Sequence, residues 1–363
     1  MVPQQTPPDD QAQPRTFHFS DKLENHLRRV DDPGLRWCQR RVESRLRYWL
    51  ALALTAITTV EAGVLFTFVL CGAGFCRQAC VWNMHLLVLS LVSQVPKRFI
   101  WRSRPHVQQR AVPLRRDRTS SFPSRGVTCA WVYPVALIRA FRCTQPATHM
   151  SRTQSFFLSC VFVGSATLLT LATAWARVFL GVHFPTDTIA GFLQGLLILA
   201  LVPRQYDAFC PQMRSIWVAL RNTPKSLDGL RFVGMTAVGA QLLLIAELPR
   251  LQLWGKASFV FGAEWSMIAL GVSGLRFRPF RLSWEVRLLG ALISAVYGAA
   301  TLFTAAFFIS EQQRHQRSPK RHHQSQRWLA IPHLAIFLSV YGAGVLFFWI
   351  APKVLSKFES FVG

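Results

Sequence analysis

The chain has 363 residues, 51% of them apolar, and carries 41 Lys and Arg against 17 Asp and Glu, a formal net charge of +24. So few acidic residues in so apolar a chain exclude an ordinary soluble domain and fit apolar helices joined by basic loops. Nucleic-acid binding is set aside too, because the charge is divided among short loops rather than gathered on one soluble face; attraction to anionic membrane lipids accounts for it better.

Residues 1–47 are polar and rich in arginine, with Pro and Gln concentrated in about the first fifteen, which are expected to be disordered. This segment has no apolar core of the kind a signal peptidase recognises, so no cleaved signal is expected. From Leu35 to Trp49 the pattern turns helical. Trp37, Val42, Leu46 and Trp49 lie among Arg36, Arg40, Arg41, Arg45 and Arg47, which predicts an interfacial helix leading into the first span. Nine apolar runs of near membrane length follow, at 49–70, 79–96, 127–143, 154–175, 184–202, 229–248, 257–274, 286–309 and 328–351. They predict an all-α, multi-span integral membrane bundle of about nine transmembrane helices: a basic segment 1–47, a membrane core 48–203, and additional spans within 204–363. The third run is the weakest, since it is short and contains Pro134 and Arg139. Glu61, His85 and Glu264 are isolated polar groups inside spans and read as structural partners across helices. The eight cysteines form no C-x2-C pair and so give no zinc or haem pattern; no cofactor is expected. Cys71, Cys76 and Cys80 share one loop, and either pair in an oxidising compartment or stay free thiols. The basic run from Arg314 to Arg327 reads as a solvated loop or a surface for anionic lipid.

Three short patterns carry the chemistry. Lys97 and Arg104-Pro105 stand in a K-x6-R-P spacing, Ser121 to Gly126 read S-F-P-S-R-G, and Arg177, His183 and Asp187 stand in an R-x5-H-x3-D spacing. The first follows span two, the second opens span three, and the third lies between spans four and five, so parity puts all three on one side of the membrane. Fixed cations are what a phosphoryl group in transfer needs, since negative charge spreads over its equatorial oxygens. Arg104 and Arg177 supply planar forks of donors and Lys97 a point charge. Ser124 and the backbone N–H groups of Arg125 and Gly126 can cradle phosphate oxygens at a helix N-terminus. Asp187, four residues after His183, is placed to accept its imidazole N–H and fix the tautomer.

In order and spacing these patterns resemble the signature motifs of the type-2 phosphatidic acid phosphatase superfamily, over about residues 80–203. The resemblance implies an integral-membrane phosphatase acting through a phosphohistidine, with His183 as nucleophile. It implies Asp187 as its orienting partner, a phosphorylated lipid as substrate, and no metal. The family's second motif reads P-S-G-H, its histidine being the general acid, and here Gly126 stands at that position. A general acid contributes about 100- to 10,000-fold in rate. Its loss matters most for an alkoxide leaving group and least for a phosphate that departs as an anion. His106 is a candidate substitute, and Arg125 can stabilise departing charge without donating a proton. Ala176 stands where the family usually has serine. Extra C-terminal spans resemble the glucose-6-phosphatase and sphingosine-phosphate phosphatase branches. The leading expectation is hydrolysis of a lipid-linked phosphate or diphosphate. The alternative is a catalytically inactive relative that binds phosphorylated lipid as a scaffold or regulator; a transporter has less support, because no span is visibly broken. The loops on the motif side hold the larger share of Lys and Arg, which by the positive-inside rule places the site in the cytoplasm. The endoplasmic-reticulum branches of the family face the lumen instead.

Overall fold

The structure is a computed structural model, and it describes residues 17–117, 119–144, 152–202 and 283–316. Apart from a two-residue parallel ladder, β1 (Phe17–His18) against β2 (Ile100–Trp101), the regular structure of these residues is helical. The chain divides into two compact units, residues 1–58, 92–131 and 167–196 in the first and 59–91, 132–166 and 197–363 in the second.

In the first unit, α1 (Asp21–Cys38) opens at Ser20, whose Oγ accepts from the Leu23 N–H, with Asp21 and Glu24 in the first turn. It ends at Cys38, and α2 (Arg45–Ile57) begins again under the Ser44 cap, so the helix expected from Leu35 to Trp49 is divided. The Gln39 side chain causes the break. It donates to the Phe179 and Val112 carbonyls and accepts from the Val112 N–H, which ties the chain into a turn. The expected span 49–70 is likewise two helices, α2 and α3 (Val60–Gly72). Thr58 returns its hydroxyl to the Leu54 carbonyl, and Thr59 Oγ1 accepts from the Ala62 N–H as the cap of the next helix.

The remaining described helices follow the predicted runs: α4 (Cys76–Phe99), α5 (Arg125–Thr144), α6 (Arg152–Phe179), α7 (Pro185–Val202) and α8 (Trp284–Gln316). Pro134 sits within α5 without ending it, and Arg139 donates to the Leu199 carbonyl. Among the described residues, Cys160–Phe179 and Pro185–Val202 are long and apolar enough to cross a membrane, with α2 and α3 together as a third, broken candidate. The predicted runs 229–248, 257–274 and 328–351, the basic run Arg314 to Arg327 past Gln316, and the side chains of Cys71, Cys76 and Cys80 lie outside the described residues.

In the second unit, α8 lies on α3 along a stripe of small residues, Gly290, Ser294 and Gly298. A Cβ at Gly72 would stand 1.8 Å from Ser294 Oγ, so the two backbones approach as closely as side chains permit. Trp284, Leu288, Val296 and Phe303 of α8 are exposed, as lipid-facing residues would be. The first unit has its own core. Ala51, Ala176, Phe179, Leu180 and Val182 form one cluster, and Leu35, Cys38, Val178 and Phe184 a second.

The close approach of α7 to the start of α5 depends on Gly191, where a Cβ would stand 2.4 Å from the Ser124 carbonyl oxygen. Backbone opposes it, so no side chain can yield. Gly191→Val is therefore expected to destabilise the protein by about 1–3 kcal/mol in thermal unfolding. Gly126→Ala, whose new Cβ meets nothing nearer than 3.5 Å, is expected to leave the unfolding temperature within error.

Candidate active site

All three sequence patterns converge in the first unit. Lys97, in the last turn of α4, donates from Nζ to the Ser120 carbonyl at 3.0 Å. Arg104 follows β2 and is buried. Its fork is largely taken up by the loop it anchors: Nε and Nη2 bond Thr119, and Nη1 bonds the Val182 carbonyl at 2.7 Å. The sequence suggested a free donor fork here, but Arg104 holds the loop 105–120 to the third pattern. Burial lowers its pKa to about 10, which still leaves it charged at neutral pH.

Arg177 closes α6 and directs Nη2 at His183 Nε2, 2.9 Å away. An arginine can only donate, so Nε2 is the accepting nitrogen and the proton is on Nδ1. Arg177 Nε, Ser121 Oγ and Ser124 Oγ are buried and have no hydrogen-bond partner among the described residues. Buried polar groups are ordinarily satisfied, so these converging donors fit a site built for an anion. Arg125, at the first position of α5, is half-buried, and with Lys97, Arg104 and Arg177 it completes a cluster of four cations. One carboxylate stands among them: Asp117 Oδ2 lies 3.4 Å from Arg104 Nη1 and 3.5 Å from Arg177 Nη2. Partial burial opposes its charge, but Arg104, Arg177 and Arg115 outweigh that and hold the carboxyl below its usual range. Asp117 belongs to none of the sequence patterns, and Ser121 opens the second without a role of its own in it.

His183 is fully buried. Burial first, then Arg177, Arg104 and Lys97, hold its pKa well below 6.5, so the imidazole is neutral at physiological pH. The expected hydrogen bond to Asp187 is not formed: His183 Nδ1 and Asp187 Oδ2 are 3.8 Å apart. Asp187 is the third residue of α7 and reaches back to accept the Phe184 N–H on Oδ2 at 2.9 Å, as one half of a capping box. Its Oδ1 accepts from Arg102 Nη1 at 2.6 Å. Arg102, 1% exposed, also bonds Glu24 at 3.0 Å and Asp31 at 2.6 Å. The Arg102 guanidinium stacks 4.1 Å over the Phe184 ring, and Arg110 lies over the same ring while pairing with Glu24 and Asp32.

Gly126 lies beside Arg177: a Cβ there would stand 3.5 Å from Arg177 Cδ and 3.7 Å from Thr58 Oγ1. His106 is turned to the Gly181 carbonyl at 3.2 Å, and burial lowers its pKa, which makes it a poor substitute acid at neutral pH. No group of three or more His, Cys, Asp or Glu among the described residues is arranged to hold a metal ion.

The sequence profile of the PAP2 superfamily matches residues 62–209, a segment that contains all three patterns. Phosphatidylglycerophosphatase B of Bacillus subtilis (strain 168) is 32% identical over 162 residues, 42% of this chain and 74% of that protein. The chain belongs to the PAP2 superfamily, the type-2 phosphatidic acid phosphatases. No solved structure matches it.

Asp117 gives this site a test that needs no turnover. A unit charge about 4 Å from a cation is worth up to about 4 kcal/mol per pair at an effective dielectric of 20, and partial exposure reduces that. Asp117→Asn is therefore expected to tighten orthovanadate binding about 3- to 10-fold, read by ligand-induced stabilisation on heating. Unchanged or weaker binding would mean that the anion does not sit beside Arg177, where Asp117 would oppose it.

Proposed function

We propose that the protein is a membrane lipid phosphatase that works through a phosphohistidine on His183. The observation that carries this reading is the neutral, buried imidazole with Nε2 facing Arg177, in a cluster of cations with unpaired donors. When substrate enters, the Arg177 N–H groups pass from Nε2 to the phosphoryl oxygens, freeing the lone pair. Nε2 then attacks phosphorus, the bond to the leaving oxygen breaks, and the departing group takes a proton from water or leaves as an anion. Water attacks the phosphohistidine in a second step, releasing inorganic phosphate and restoring neutral His183. Lys97, Arg125, Arg177, Ser121, Ser124 and the backbone at Gly126 surround the phosphoryl group, while Arg104 secures the loop behind it. Asp187 stabilises the protonated or phosphorylated ring by its charge rather than by a hydrogen bond in the resting state.

The name of the Bacillus subtilis relative makes phosphatidylglycerophosphate, a lipid phosphomonoester, the first substrate to test. Gly126 argues that a lipid diphosphate should stand beside it, because a phosphate leaving group needs no acid. The same glycine is what favours the second reading, an inactive protein that binds phosphorylated lipid.

Phosphate release by the purified protein decides between them. Turnover of at least one of the two substrates is expected, and His183→Ala should reduce it to background; substantial turnover by that variant would remove His183 as nucleophile. Binding without turnover of either substrate would establish the inactive reading. Gly126→His fits sterically at its Cβ and restores an acid beside Arg177. It should raise phosphomonoester turnover at least about 10-fold while changing diphosphate turnover much less. An equal effect on both substrates would show that position 126 does not face the leaving group.

A further inference from the structure

We propose that α1, which precedes the segment matched by the family profile, is part of the catalytic machinery: Asp31 positions Asp187 by capping α7 and by sharing Arg102 with it. This rests on the reading of His183 and Asp187 given above. The first N–H groups of α7 have no partner within their own helix. Asp187 satisfies the one at Phe184, and Asp31, from more than 150 residues earlier, accepts the one at Thr186 at 3.0 Å. The Thr186 hydroxyl adds bonds to both Asp31 oxygens and receives one from Arg102 Nη1 at 2.8 Å.

Two carboxylates therefore converge on one positive helix end, and the Arg102 guanidinium binds both, with Glu24 on its remaining edge. Close backbone approach makes this possible. A Cβ at Gly34 would stand 2.6 Å from the Pro185 ring, so only glycine lets α1 lie against the first turn of α7. Asp31 is fully buried, and its hydrogen bonds go to Arg102 and Thr186 rather than to any group placed around the phosphoryl group. It is a positioning residue.

The test uses the full-length protein, a lipid phosphomonoester or diphosphate that the wild type turns over, and orthovanadate as the site probe. Asp31→Ala should lower kcat about 10- to 100-fold, the size expected when a catalytic group is misplaced by about an ångström. KM and the vanadate Kd should stay within about threefold. Asp31→Asn keeps an oxygen for the Thr186 N–H and should retain more turnover than the alanine variant. Because Asp31 acts through Asp187, Asp31→Ala combined with Asp187→Asn should be no slower than Asp187→Asn alone.

Multiplicative losses in that cycle would overturn the proposal, as would a wild-type kcat for Asp31→Ala or an equal loss of kcat and vanadate affinity. If Asp31→Ala does not fold, the cycle with Asp31→Asn decides by the same criterion. Normal turnover by Asp187→Asn would sink the catalytic reading itself and this inference with it. Impaired Asp187→Asn beside an unimpaired Asp31→Ala would sink this inference alone.

Discussion

A single buried guanidinium organises the first unit. Arg102 reaches Glu24 and Asp31 of α1 and Asp187 of α7, and its backbone carbonyl accepts from the N–H of Ser121, the first residue of the second pattern. A charge so deeply buried is tolerable only if it is paired and fully bonded, because removing one partner of a buried pair costs about 3–5 kcal/mol. Here every edge of the fork is used, and Asp187 and its two fellow carboxylates push the arginine's pKa up against the effect of burial. The fold requirement and the site requirement thereby become one requirement. Whatever keeps Arg102 bonded also fixes the start of α7, and with it the backbone that carries His183.

Around His183 the electrostatics run the other way. Lys97, Arg104, Arg125 and Arg177 oppose one another, and Asp117 is the carboxylate in contact with two of them. Such crowding costs stability unless an anion is bound. Second to burial, it also keeps the His183 imidazole neutral. Two neighbouring clusters therefore have opposite balance. The one at Arg102 is neutralised by carboxylates, whereas at Arg177 the cations outnumber the carboxylate in contact with them. Asp187 belongs to the first and faces the second, so its charge reaches the ring without a resting hydrogen bond.

The helical membrane class and the three patterns were legible in the sequence, because apolar run length and fixed spacings between charged residues are local signals. Their convergence could be argued from parity alone. What the sequence concealed depends on long-range partners. Arg102 lies between Lys97 and Arg104 with nothing to distinguish it from a basic loop residue, and its partners Glu24 and Asp31 sit among as many Lys and Arg as Asp and Glu over residues 21–38, so neither is marked out as a buried partner. The i,i+4 spacing of His183 and Asp187 suggested a side-chain pair. At a helix start, however, a carboxylate in the third position satisfies the cap N–H before it reaches along the helix. The break between α2 and α3 falls at Thr58-Thr59, where hydroxyls compete with the backbone inside an otherwise unbroken apolar run. Hydropathy cannot register that competition.

Gly126 acquires a chemical meaning from this arrangement that spacing alone did not give it. The space beside its α-carbon is bounded by Arg177 and the Thr58 hydroxyl, and that hydroxyl is committed to the Leu54 carbonyl. Neither group can give up a proton near neutral pH, and His106 is held neutral elsewhere. A leaving alkoxide would therefore meet positive charge but no acid. Positive charge without a proton stabilises an anion that is already a good leaving group far more effectively than one that must be protonated to depart. Under the proposed reading of the site, a phosphate or another stable oxyanion is the departing group it suits.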